Sequence, residues 1–163
     1  MGMYTEFIFG CSLSKNTPKI CIDALDYVIN GKNKKPGYEK YNKGFIERTS
    51  TDNEIQTFIN EYDFRRLFCC GSYYFGAPVS KELYYDYIDK TYKISTRANL
   101  KNYQNQIEKF IEYIKPYVVH GSGYDHHIFA YVQYEEDEFP TIYGTDGTYK
   151  VNAELIKPND DTM

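Results

Sequence analysis

The chain has 163 residues, of which 42% are hydrophobic and 26% charged; that composition suits a folded domain and excludes a disordered chain. No apolar run approaches the roughly 20 residues that a membrane-spanning helix needs. The net charge of −4 argues against a general nucleic-acid binder, whose affinity rests on neutralised phosphates.

In chain order, residues 3–13 are rich in aromatic and β-branched types and alternate in part, which predicts a first strand. Asn16 or Thr17 then supplies a helix cap and Pro18 a first helical position. Cys21, Ala24, Leu25 and Val28 recur at helical spacing, with Ile22 and Ile29 widening the stripe, and Asn30-Gly31 ends the helix. Residues 31–50 are polar, basic and broken by Pro36-Gly37; they predict a long exposed loop. Thr51 and Glu54 have capping-box spacing, and Ile55, Phe58, Ile59 and Tyr62 line one face of a short helix after them.

Residues 66–76 form an apolar and aromatic run bounded by Gly76 and Pro78, which predicts a strand, with 77–90 as a connection. Residues 91–98 alternate cleanly. Tyr92, Ile94, Thr96 and Ala98 take one face, and Lys93, Ser95 and Arg97 the other. A second main helix is expected from Asn102 to Lys115, with Tyr103, Ile107, Phe110, Ile111 and Ile114 as its stripe and Pro116 as its stop. His120 to Tyr124 is a turn, 126–134 a strand, and Pro140 to Tyr143 a short last strand. Thr145-Asp146-Gly147-Thr148 is a turn signal for a small hairpin.

Strand, helix, strand, strand, helix, strand is the order of a split β-α-β plan. The expected fold is therefore α+β: a mainly antiparallel sheet with two main helices on one face, a ferredoxin-like arrangement with extra strand. Residues 1–151 form one domain and 152–163 a polar tail. The sheet face away from the helices is open, covered by loops, or used in a homo-oligomer. Met1 to Phe9 carries Glu6 and no basic residue ahead of its apolar run, a poor secretory signal, so the expected location is cytoplasmic.

Candidate chemistry is sparse. Asp125, His126 and His127 offer metal ligands or a general base for a hydrolase. Neighbours on a strand face opposite ways, however, so His126 and His127 do not readily share an ion, and no HExxH-type spacing supports them. Cys11, Cys21, Cys69 and Cys70 include no CxxC pair and read as reduced structural thiols. GxSxG, Walker and GxGxxG patterns are absent. No cofactor or metal is implied, and the balance leans away from an enzyme.

Recognition is the better-supported class. Tyrosine is unusually common, at 19 residues, and Tyr-rich surfaces give large contact area at low entropic cost; codon bias in an AT-rich genome produces the same enrichment. Tyr73, Tyr74 and Tyr92 are candidates for stacking on a ligand, with Arg97 gripping a phosphate or carboxylate. RNA-binding modules of this general topology stack bases on such strands, but the RNP1 pattern is missing here.

The run Met3-Tyr4-Thr5-Glu6-Phe7, then Asn16-Thr17-Pro18, Asn30-Gly31, Ser72-Tyr73-Tyr74-Phe75, Arg97-Ala98-Asn99-Leu100-Lys101-Asn102-Tyr103 and the helix from Ile107 to Tyr117 resembles a family of small uncharacterised proteins of bacteriophages and prophages. The resemblance spans nearly the whole chain and carries no catalytic residues. It implies a phage accessory protein working in the bacterial cytoplasm, of a kind that binds and blocks a host factor, defence components included. The expected function is non-enzymatic binding of a host protein; the alternative is a sponge for a small nucleotide ligand.

Overall fold

Strand β1 (Thr5–Leu13) alternates as its sequence predicts: Phe7, Phe9 and Leu13 are buried, whereas Ile8 and Gly10 are exposed. This one strand defines the two faces of the sheet. The computed structural model describes residues 4–34, 43–62, 64–68, 80–119 and 128–150. The other strands are β2 (Lys43–Gly44), β3 (Ser80–Asp86), β4 (Thr91–Leu100), β5 (Ile128–Tyr134), β6 (Thr141–Gly144) and β7 (Gly147–Lys150). They form a single seven-stranded sheet in the order β2-β3-β4-β1-β5-β6-β7, and every pairing is antiparallel. With three helices, α1 (Lys19–Asn30), α2 (Asp52–Tyr62) and α3 (Gln106–Ile114), the protein is of the α+β class. The chain passes over β4 between β1 and β3, and over β1 between β4 and β5.

The helices share one core with the inward sheet face. Phe110 of α3 lies 5.2 Å from the ring of Phe9, and Phe58 of α2 lies 5.7 Å from Tyr113 of α3. Leu83, Ile94, Ala98, Ala130 and Val132 complete the sheet side of this core. Helix α1 ends where expected, with Gly31 at φ 93°, a conformation that costs glycine little. The capping box of α2 forms in both directions: the Thr51 amide donates to Glu54 Oε1 at 3.0 Å, and the Glu54 amide to Thr51 Oγ1 at 3.2 Å.

Four expectations need correction. The strand predicted at 66–76 begins instead as a 3₁₀ turn, Arg65–Phe68. Phe64, Leu67 and Phe68 are all buried at i, i+3, i+4 spacing, and the Leu67 carbonyl accepts the Thr96 hydroxyl at 3.0 Å. Residues 69–79 lie outside the described residues. A strand, β3, falls in the segment read as a connection and forms a hairpin with β4 through residues 87–90. Leu83 is its one fully apolar inward residue, and the charges around it hide the alternation.

Residues 45–50 are only partly an exposed loop: Phe45, Glu47 and Thr49 are exposed, but Ile46 is buried and the Arg48 side chain nearly so. The second main helix starts at Gln106 rather than Asn102. Gln104 and Asn105 adopt left-handed backbone (φ 57° and 58°), and Asn102 Oδ1 reaches past them to accept the Ile107 amide at 2.9 Å. Beside these corrections, the small hairpin signalled at Thr145-Asp146 is present as β6–β7.

Candidate functional site

Two polar networks among the described residues tie separate segments of the fold together, the first buried and the second half-buried. In the first, Asp26 on α1 is fully buried and takes Arg48 Nε at 2.7 Å, Lys34 Nζ at 2.5 Å and Asn30 Nδ2 at 2.6 Å. Arg48 also donates to the carbonyls of Asp26, Gly31 and Lys32, and Lys34 to that of Ile46. One turn earlier, Asp23 accepts the amides of Thr49 and Ser50 at 3.1 and 2.9 Å. Burial pulls the Asp23 carboxyl upward, but the Ser50 and Lys19 contacts outweigh it and hold the group below the usual carboxylate range. Segment 45–50 is thereby tied to α1.

In the second network, Asn102 Nδ2 donates to both Glu108 oxygens, at 2.7 and 3.0 Å, and the Tyr134 hydroxyl donates to the same carboxylate. Burial first, then the Glu108 charge, raises the Tyr134 hydroxyl pKa, so it stays a proton donor that fastens α3 to β5. The thiols of Cys11 and Cys21 are pushed up to about 12 by burial, which makes them poor nucleophiles at neutral pH. Among the described residues, no group of three or more His, Cys, Asp or Glu is placed to hold a metal ion, and no helix is long and apolar enough to cross a membrane.

The outward sheet face is different. Antiparallel register sets Ile8 level with Tyr131, Tyr131 with Ile142, and Ile142 with Tyr149. An apolar and aromatic row therefore crosses β1, β5, β6 and β7 at one height, on the side away from the helices. Ile8 is 40% and Tyr149 38% exposed, and Ile128 beside the row is 56% exposed. Tyr131 and Ile142, between Ile8 and Tyr149, are half-buried. A groove of about 460 Å³ opens next to the row, lined by Ile8, Gly10, Ser95, Arg97, Ile128 and Tyr131. Arg97 Nε donates to Glu6 Oε1 at 2.8 Å, and the other guanidinium nitrogens make no hydrogen bond among the described residues.

The candidates expected from sequence divide accordingly. Tyr92 points inward and packs its ring against Tyr85 at 5.2 Å, whereas Arg97 faces outward, so the two do not converge. An odd offset along one strand puts them on opposite faces. Tyr73, Tyr74, Asp125, His126 and His127 lie outside the described residues, as do Cys69, Cys70 and His120. Ile8, Tyr131, Ile142 and Tyr149 were missed. The available signal was Ile8 itself, an isoleucine at the outward parity between two buried phenylalanines. No protein-family model, curated protein or solved structure matches the chain.

Proposed function

We propose that the protein is a non-enzymatic binding protein, a phage accessory protein that obstructs a bacterial host factor through the outward face of its sheet. The observation that carries the recognition half of this reading is the Ile8–Tyr131–Ile142–Tyr149 row. It offers rigid rings and branched aliphatic chains on hydrogen-bonded strands, the side-chain types that anchor interfaces. The host-directed half is supported by the resemblance of the chain to small phage proteins.

The test is affinity capture from the lysate of a bacterial host. Wild type is expected to retain a specific protein, and Ile8→Lys to lose it by about 30-fold, as when one anchor worth about 2 kcal/mol is removed. Lys109→Glu, at an exposed position on α3, is expected to capture as wild type does. The absence of any specific captured protein, or equal capture by Ile8→Lys, overturns the proposal.

One observation favours a second reading, a sponge for a small nucleotide ligand. The open side of the Arg97 guanidinium meets the groove beside Tyr131, a cation next to a ring. A cyclic nucleotide held at about 100 times its Kd contributes about 2.7 kcal/mol to the folded state. That amount raises the melting temperature by about 5–11 °C, and Arg97→Gln abolishes the rise. A flat response across a panel of such nucleotides removes this reading.

A further inference from the structure

One face of helix α2 borders a groove. Glu54, Phe58 and Glu61 stand at i, i+4 and i+7, so they share that face, with Asn53 and Thr57 beside them. Ile20 of α1 closes the far side, and these six residues line a space of about 470 Å³. Phe58 is buried and Ile20 half-buried, and they form an apolar floor. Asn53, Glu54, Thr57 and Glu61 are exposed and form the rim. The groove belongs to the helical layer and is separate from the outward sheet face.

The rim carries charge of one sign. Glu54 and Glu61 line the groove, and among the described residues no lysine or arginine does. The cations nearby in the chain are engaged elsewhere. Lys19 meets Asp23 at 3.0 Å and the Glu47 carbonyl at 2.7 Å, Lys32 meets Asp52 at 3.8 Å, and Arg65 donates to Gln56 at 3.2 Å. Glu54 accepts the Thr51 amide on one oxygen, Oε1. Glu61 lies in the last turn of α2, which holds no basic residue and where the helix dipole disfavours a carboxylate. Its charge therefore does not support α2.

We infer that this groove takes an amphipathic helix of a partner protein, with Lys or Arg at i and i+7 and a branched aliphatic residue at i+4. Charge and spacing select that occupant. Glu54 and Glu61 are about 10 Å apart along the helix axis, at about 1.5 Å per residue. A second helix lying along α2 repeats that distance between its own i and i+7 side chains. Its two cations meet the two carboxylates, and the apolar side chain between them seats on Phe58 and Ile20, as when a helix docks in a groove. The aliphatic stems of the cations extend the apolar contact while their heads stay at the wet rim. An acidic helix is repelled by the same rim. The inference adds a second contact surface to the binding proposed above and does not rest on the outward face.

Fluorescence anisotropy of a labelled synthetic peptide against the full chain tests the inference. The probe is a basic helix of about 15 residues, with lysines seven positions apart and a leucine four after the first. The reference is a scrambled peptide of the same composition. The patterned peptide is expected to bind with a Kd below about 200 µM, and the scrambled one about 10-fold more weakly. Glu54→Gln combined with Glu61→Gln is expected to weaken the patterned peptide by about 10-fold, through loss of two exposed ion pairs. Glutamine at 54 retains the capping box, so α2 keeps its start. Thermal melts establish folding, and Glu61→Gln alone, expected to bind about 3-fold more weakly, replaces the pair if it does not fold. Glu136→Gln combined with Glu138→Gln, at exposed positions between β5 and β6, makes the same change in net charge and is expected to bind as wild type does.

A patterned peptide that does not bind below that limit overturns the inference. So does equal binding of the patterned and scrambled peptides, or undiminished binding by the groove variant. An equal loss in the Glu136 and Glu138 variant also overturns it, because the attraction is then one of net charge and not of this groove.

Discussion

Asp26→Ala is expected to lower stability by about 3–5 kcal/mol, the range for breaking a buried ion pair from one side. For a chain of this size that is a fall in melting temperature of about 6–20 °C. The cause is what stays behind. Arg48 and Lys34 have side chains only 14% and 13% exposed, and both lose their counter-charge while still held by the carbonyls of Gly31, Lys32 and Ile46. Burial already lowers the Lys34 ammonium pKa, against the pull of Asp26, so removal of the carboxylate leaves desolvation unopposed. Asp26→Asn, which keeps the shape and one acceptor, is expected to fall between wild type and alanine. Thermal unfolding by circular dichroism measures both variants. A loss below about 1 kcal/mol, typical of exposed pairs, would mean that water reaches the cluster.

The same cluster shows where sequence reasoning stops. Helix α1 was legible because its apolar stripe, its Pro18 start and its Gly31 stop are local signals. Strands β1 and β4 were legible from period-two alternation, and with them the α+β class. Segment 45–50 was not, because its burial depends on carboxylates some twenty residues away. Arg48 and Lys34 look like solvated loop charges until Asp23 and Asp26 are seen three residues apart on the buried side of α1. Strand β3 was read as a connection for a related reason. Leu67 and Phe68 supply an apolar run that a strand and a 3₁₀ turn satisfy equally, whereas Lys81, Glu82 and Asp86 disguise a strand whose pairing partner is β4. The outward row was hidden because it is a property of cross-strand register. Its four members come from four strands, and only pairing brings them to one height.

Phe110→Ala is expected to cost about 3–5 kcal/mol, the usual loss for a buried phenylalanine. Phe110 is 3% exposed, and four rings surround it: Phe9 at 5.2 Å, Phe68 at 5.5 Å, Phe64 at 5.9 Å and Phe7 at 6.4 Å. Three of the four meet it at 75° to 87°, the edge-to-face geometry that adds to simple burial. This residue joins α3 both to β1 and to the 3₁₀ turn Arg65–Phe68. Alanine therefore opens a cavity where three parts of the core meet, and Phe110→Leu, with less volume removed, is expected to cost about 1.5 kcal/mol. Phe7 and Phe9 face inward and Ile8 faces outward on the same strand, so the loss reaches β1 from the side opposite the apolar row. Phe110→Ala should melt earlier by about 6–20 °C, whereas Ile8→Asp, on the outward side of the same strand, should leave the melting temperature little changed. Thermal unfolding of the two variants checks this. If Ile8→Asp melted as early as Phe110→Ala, the outward side of β1 would be packed as tightly as the inward side.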